Sequence, residues 1–323
     1  SAVSKATGYY VYMASPSDSG YVKKATVAAT SAQITGLTAD TSYWFYVQAY
    51  NGSSVSEQSI HINAMTKQAV ANPVQGKESL GFATYYYVGD KSSYNSMVAN
   101  KDSLDSIATH TYITDGSGNL SGIVPTEQIN YANSNNMLSL AMISNNFDGA
   151  ITKALLESQT NRQNLINNTI KELQAYGYKG VAVDLEGVYY TNRAQLTAFI
   201  QELNTALDAK GYLLYVAVPA KTSDSATNSW SGAYDYAELG KVADRIVLMT
   251  YDEHYPGGTP GPVASINWVS NVINYAVSII PKEKVMMGLA AYGYDWSSAG
   301  TKAYSINAVN SLAAANNAAI QWD

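Results

Sequence analysis

No cysteine occurs in the 323 residues, which excludes disulfides, thiol nucleophiles and thiolate-ligated metals. Charge is scarce as well. Only 14% of residues are Asp, Glu, Lys or Arg, and the net charge of −6 gives no basic footprint for nucleic acid or for insertion beside anionic lipid. No run approaches the roughly 20 apolar residues of a membrane-spanning helix. The histidines, His61, His110 and His254, are scattered without ligand spacing, so no metal is argued for and no cofactor is implied. The opening "SAVSKATGYYVY" lacks the basic and apolar regions of a signal peptide and reads like the middle of a domain. What is present is a globular composition, 46% hydrophobic, long enough for one large domain and a small one.

Two rhythms divide the chain. Residues 1–67 carry short β-rich stretches such as "TGYYVYMA" and "SYWFYVQAY", separated by the turn segments "SPSDSG" and "NGSS". They predict a small all-β sandwich. The stretch "TGLTADTSYWFYVQAYNGSSVSEQS" resembles the later strands of a fibronectin type III module, with Tyr43 and Tyr46 at its aromatic positions. That resemblance implies that the chain begins inside the module, whose first two strands are missing; a spacer or wall-facing arm is expected ahead of a ligand-binding role, since such a fold alone implies no function. A linker is expected over 68–78, where Pro, Gly and Gln gather.

From residue 79 to 323 strands alternate with helices. The candidate strands are "SLGFATYYYV", "IATHTYIT", "MLSLAMIS", "GVAVDLEG", "YLLYVAVPA", "DRIVLMTYD" and "KVMMGLAAYGY". Between them "NRQNLINNTIKELQAYG" and "NRAQLTAFIQELNTALDAKG" repeat apolar residues at helical spacing, each ending on Gly. Such alternation predicts an α/β chain, a (β/α)8 TIM barrel. Seven strands are not eight, and no apolar closing strand follows "AAYGYDW". The chain therefore reads as clipped at its C-terminal end. A piece extended past Asp323 is expected to be more stable and more active, because a barrel without its last strand has two open edges.

The fourth strand carries the chemistry. In "GVAVDLEGVYY", Asp184 and Glu186 share one face with Ala182, while Val181, Val183 and Leu185 fill the other. In a β/α barrel catalytic groups gather at the C-terminal ends of strands, so the two acids face the barrel mouth. Taken alone, a D-x-E tripeptide is equally what a polar strand terminus or a salt bridge presents. The sixth strand delivers a second set in "RIVLMTYDEHYPGG": Met249 and Tyr251 share a face, and Asp252 follows. Tyr251 by itself reads equally as a core tyrosine. Together the two strands suit the cleavage of a carbohydrate.

The stretches "GVAVDLEG", "LMTYDEH" and "GLAAYGYDW", in that order, resemble glycoside hydrolase family 18, and the surrounding segments resemble its bacterial spore-cortex-lytic and germination branch. The resemblance implies that Glu186 is the general acid and that Asp184 orients the substrate's acetamido group. Tyr251 would bond the acetamido carbonyl, and Asp252 would line the same subsite. It also implies a retaining, substrate-assisted reaction on a glycan containing N-acetylglucosamine, peptidoglycan or chitin, and an extracellular, cell-wall or spore setting. The alternative outside enzymes is a non-catalytic wall-glycan-binding protein. Physically, carboxylates two residues apart on a strand are about 7 Å apart at the backbone, so an ionised Asp184 should keep the proton on Glu186.

Two departures from the family pattern stand out. Lys179 and Ala182 occupy positions of two further acids, leaving Asp184 no inward carboxylate to turn towards. The family's eighth-strand Trp is also missing, since Trp322 is expected in a subdomain that starts near 297 and is inserted after strand seven. Further candidate sugar contacts are Tyr86 among the residues closing strand one, Asn145 closing strand three and Tyr292 closing strand seven. Trp230, in the loop after strand five, reads equally as a subsite platform and as a loop anchor.

Overall fold

The computed structural model describes residues 2–67, 77–297, 300–319 and 321–322. The N-terminal part is an antiparallel sheet of β1 (Gly8–Ala14), β2 (Val22–Val27), β3 (Ser42–Asn51), β4 (Ser54–Val55) and β5 (Ile62–Met65), in the order β2-β1-β3-β4 with β5 also on β3. Cross-strand pairing puts Tyr12 opposite Tyr46, and the two rings stack at 4.6 Å. Tyr10 and Tyr50 stack beside them at 4.5 Å. Tyr43 and Tyr46 are both buried, and the Tyr43 hydroxyl accepts the Thr38 N–H at 2.8 Å. Lys67, the last described residue of this part, ion-pairs with Asp208 and Asp244 of the following part at 2.8 and 2.6 Å. Most of the expected linker lies outside the described residues.

Every strand expected beyond it is present: β6 (Leu80–Thr84), β7 (Ser106–Thr114), β9 (Leu138–Ser144), β10 (Gly180–Asp184), β11 (Leu213–Pro219), β12 (Arg245–Met249) and β13 (Val285–Met287). They form one parallel sheet in the order β13-β12-β11-β10-β9-β7-β6, an incomplete barrel, with the short β8 (Leu120–Gly122) as an antiparallel appendage on β7. The hairpin that creates β8 was not foreseen. Its turn is tied down by α4 (Gln159–Tyr176), where Asn161, Asn164 and Asn168 each donate to a backbone carbonyl, of Gly116, Ser117 and Gly118 respectively.

Alternation along the strands separates two cores. The face that includes Val181, Val183, Leu185, Val216 and Leu248 packs outward against helices. Ala108, Leu140, Met142, Ala182, Tyr215 and Val247 fill the inside. Strands buried on both faces need continuous apolar sequence, and all seven residues of β9 are buried. The covering helices include α1 (Ser92–Ala99), α2 (Thr126–Ser134), α3 (Gly149–Glu157), α5 (Arg193–Asp208), α6 (Tyr236–Val242) and α7 (Ile266–Ile279). α5 shows why they cover: Leu196, Phe199, Ile200, Leu203 and Leu207 fall on one face and are all buried. α4 ends where Gly177 adopts the left-handed conformation, φ 73°, and returns its N–H to Leu173. At the floor of the sheet, Arg245 and Tyr215 both donate to the Glu78 carboxylate.

Strand seven is much shorter than its sequence suggests. After Met287 the chain turns into a hairpin of β14 (Tyr292–Ser297) and β15 (Gly300–Ser305), followed by α8 (Ile306–Ala315). Tyr292 therefore opens this hairpin instead of closing a barrel strand, and the extra element starts there and not near 297. Among the described residues β6 and β13 do not pair with each other. A cavity of about 1280 Å³ runs along the inside of the sheet between them.

Candidate active site

Asp184 is the last residue of β10, and its side chain enters the cavity above Ala182. Two residues on, Glu186 is only 8% exposed. Neither carboxyl makes a hydrogen bond or ion pair with protein among the described residues, so the salt-bridge reading of the pair is excluded there. Burial pushes Asp184 up to about 6. Burial, then the charges of Asp184 and Asp252, push Glu186 up to about 8. Between those values one carboxyl is ionised and its neighbour protonated, a pair able to accept one hydrogen bond and donate one proton. Ala182 explains part of the split. With no acid beneath it, Asp184 rests on an apolar layer and is shifted by burial alone.

Tyr251 comes from the segment after β12 and lines the same cavity. Burial, then the charges of Asp184, Glu186 and Asp252, push its phenol well up, so it remains a hydrogen-bond donor at any physiological pH. Among the described residues its hydroxyl makes no hydrogen bond to protein, unlike that of a satisfied core tyrosine. Its ring lies on Gly288, where an added Cβ would fall 2.9 Å from the ring and 2.5 Å from the Leu248 carbonyl. The Gly288 N–H returns to that carbonyl at 2.8 Å, and the Thr250 hydroxyl donates to Gly288 O at 2.7 Å. Asp252 adopts φ 59°, a conformation unusual outside glycine, and its Oδ1 accepts the hydroxyls of Tyr292 and Tyr294 at 2.6 and 2.8 Å. Tyr292 in turn packs edge-on against Tyr251, with centroids 6.2 Å apart.

Residues 83–323 match Glycosyl hydrolases family 18. The chain belongs to that family. A curated relative, "Uncharacterized glycosylase YvbX" of Bacillus subtilis, is 37% identical over 225 residues, covering 68% of this chain and 65% of YvbX. The crystal structure of the spore cortex-lytic enzyme SleL of Bacillus cereus is similar with a TM-score of 0.70 at 28% identity, covering 76% of this chain and 59% of SleL. A chitinase of Chromobacterium violaceum gives a TM-score of 0.68 at 29% identity, covering 74% and 77%. This chain thus spans less than two thirds of YvbX and of SleL.

Against the other members expected at this family 18 site, the structure sorts clearly. Met249 and Tyr292 line the cavity with Asp184 and Tyr251, and Asp252 is bonded to Tyr292. Tyr86, 76% exposed, lies past the end of β6, and Trp230, 51% exposed, lies on the loop between β11 and α6; neither lines the cavity. Asn145 requires correction. It is fully buried, its Oδ1 accepts the Glu186 N–H at 2.8 Å, and its Nδ2 donates to Glu186 O at 2.7 Å and Asp148 O at 3.0 Å. An amide spent on backbone in this way cannot reach a sugar. Sequence reasoning missed Tyr234, whose hydroxyl donates to Leu185 O at 2.6 Å, and Gly288. Its only visible signal was an aromatic-acid pair, "YDY", before a helix.

Proposed function

We propose that this chain is a retaining, substrate-assisted glycosidase that cleaves β-1,4 bonds of N-acetylglucosamine-containing glycan, with peptidoglycan of cell wall or spore cortex as substrate. The observation that carries the reading is a pair of carboxyls, Asp184 closing β10 and the buried Glu186 two residues on, with no hydrogen-bond or ion-pair partner in protein among the described residues; burial pushes them up to about 6 and about 8. Glu186 donates its proton to the glycosidic oxygen. The sugar's own 2-acetamido oxygen bonds to the anomeric carbon as the glycosidic bond breaks, so proximity replaces a protein nucleophile. Asp184 accepts the acetamido N–H and balances the oxazolinium charge, while the Tyr251 hydroxyl donates to the acetamido oxygen. Water then opens the ring, Glu186 takes its proton, and configuration is retained. Asp252, Met249 and Tyr292 surround the acetamido group.

Similarity to the cortex-lytic SleL favours peptidoglycan, and similarity to the Chromobacterium chitinase supports chitin as the second reading. We place the activity outside the cell, on wall or spore glycan, with residues 1–67 as a fibronectin type III-like spacer ahead of the catalytic barrel at 79–323. Product mass spectrometry on cortex glycan and on chitotetraose, with Glu186→Gln in parallel, tests the reading. N-acetylglucosamine-ended fragments from cortex, absent with the variant, are expected. Cleavage of chitotetraose alone moves the substrate to chitin. Binding of glycan without cleavage of either reduces the protein to a lectin.

A further inference from the structure

β10 stops pairing where the acid begins. Its ladder to β9 ends at Asp184 opposite Ser144, and its ladder to β11 ends at Val183 opposite Val216. Leu185 O, Glu186 N–H and Glu186 O therefore lie beyond the sheet in a buried place, where unpaired backbone groups are costly. Each finds a side chain. Tyr234, from the loop after β11, donates to Leu185 O, and Asn145, from the loop after β9, takes both groups of Glu186.

We propose that Asn145 and Tyr234 are positioning residues, a two-sided clamp that fixes the peptide carrying Glu186 so that its carboxyl stays aimed at the leaving-group oxygen. This inference rests on Glu186 as the general acid. Both arms are themselves held. Behind Asn145 the chain passes through two successive non-glycine residues with positive φ, Asn146 at 53° and Phe147 at 60°, before Asp148 N–H returns to Asn145 O at 3.1 Å. Strain of that kind persists only where surrounding structure fixes it, and here it turns the Asn145 amide onto Glu186. On the other side, buried Lys221 donates to Tyr234 O at 2.5 Å, and Arg193 donates to Gly232 O at 2.7 Å while pairing with Asp224 and Asp235. The Tyr234 phenol, fully buried, is pushed up by burial and by the charges of Glu186 and Asp184, which keeps it a donor.

A role in stability alone has a built-in control. The Tyr236 hydroxyl makes the same kind of buried bond, to Pro219 O at 2.5 Å, without touching the β10 peptide. In the 323-residue chain, Tyr234→Phe, Asn145→Ser, Tyr236→Phe and Glu186→Gln are compared on soluble cortex glycan for kcat, KM, pH profile and melting temperature. Tyr234→Phe and Asn145→Ser are expected to lower kcat about 10–100-fold, since misplacement by about 1 Å costs that order, with KM within about twofold. The alkaline limb of their kcat/KM profiles should move to lower pH, because a released Glu186 carboxyl gains water. Tyr236→Phe should leave kcat and the limb unchanged at a similar loss of melting temperature. If Tyr234→Phe, which deletes a single oxygen, behaves like Tyr236→Phe, the clamp is structural and the proposal fails, whether or not Asn145→Ser folds. Activity surviving in Glu186→Gln would instead remove the acid assignment, and the clamp with it.

Discussion

On one side of the barrel mouth, β9 is buried along its whole length and the Glu186 peptide is bonded through side chains of the two flanking loops. On the other side, β13 has three residues, none of them fully buried, and the chain leaves at once for the β14–β15 hairpin. There Tyr251 is placed by contact with Gly288, and Asp252 by two phenols of the hairpin. The proposed proton donor thus comes from the half where backbone groups are individually fixed. The groups assigned to the acetamido arm come from the half that relies on side-chain contacts across a short strand. A donor must hold one carboxyl within hydrogen-bond reach of one oxygen, whereas an acetamido group can be caught by several partial contacts.

The largest effect should come from the fixed half. Glu186→Gln keeps the shape of the buried side chain and removes its proton, so kcat should fall about 10²–10⁴-fold while glycan binding persists. The same variant also tests the pH behaviour. Both Asp184 and Glu186 are raised in the folded protein, so the native state binds more protons than the unfolded chain between the ordinary carboxylate range and about 8. Stability of the unliganded enzyme should therefore fall as pH rises through that window and level off above it. In Glu186→Gln the decline should stop near about 6, where Asp184 finishes titrating. Thermal melting from pH 4 to 9 checks this, and parallel curves for the two proteins would mean that Glu186 is not raised. In activity, kcat/KM should be bell-shaped, with limbs near about 6 and about 8.

Gly288→Ala attacks the other half and should rank second. The new Cβ would lie 2.5 Å from the Leu248 carbonyl and 2.9 Å from the Tyr251 ring, so the segment or the ring must shift. A stability loss of about 1–3 kcal/mol is expected from overpacking. A kcat/KM loss of about 10-fold or more should accompany it as Tyr251 moves. Unfolding curves and kinetics on the same sample separate the two. If stability falls and kcat/KM does not, Tyr251 is not held by this contact.

Sequence and structure agree where alternation carries the information. Val181, Val183 and Leu185 against Ala182 and Asp184 gave the inward face, because a strand of period two leaves no third choice, whereas Glu186 lies past the end of β10, buried and outside the residues that line the cavity. Asn145 failed for the opposite reason. An Asn closing a strand next to a site reads the same whether its amide meets a ligand or a backbone, and only the stop of the β10 ladder decides between them. Tyr292 lines the cavity, but from an element other than the one expected. "KVMMGLAAYGY" is apolar enough to be one long strand, yet the chain leaves the sheet after Met287 and starts the hairpin at Tyr292. The β7–β8 hairpin escaped because its turn is stabilised from α4, by asparagines far along the chain.

The hairpin's own share offers the finest test of the comparison. Tyr292 and Tyr294 donate to the same Asp252 oxygen, but only Tyr292 also lines the cavity and meets Tyr251 edge-on. Removing either hydroxyl deletes one donor to an exposed carboxylate, whose remaining bond still fixes it, so each loss alone should be small. Tyr294→Phe is expected to raise KM about twofold at unchanged kcat, consistent with the small worth of a solvent-exposed polar contact. Tyr292→Phe should cost more, about 3–5-fold in kcat/KM, because it loosens the ring packed on Tyr251 as well as Asp252. The double variant leaves Asp252 in its left-handed conformation with neither phenol to hold it, and its loss should exceed the product of the single losses. A double-mutant cycle on kcat/KM reads that coupling directly. Simple additivity would show that Asp252 keeps its place without the hairpin, and the two halves of the mouth would then differ less than their strands suggest.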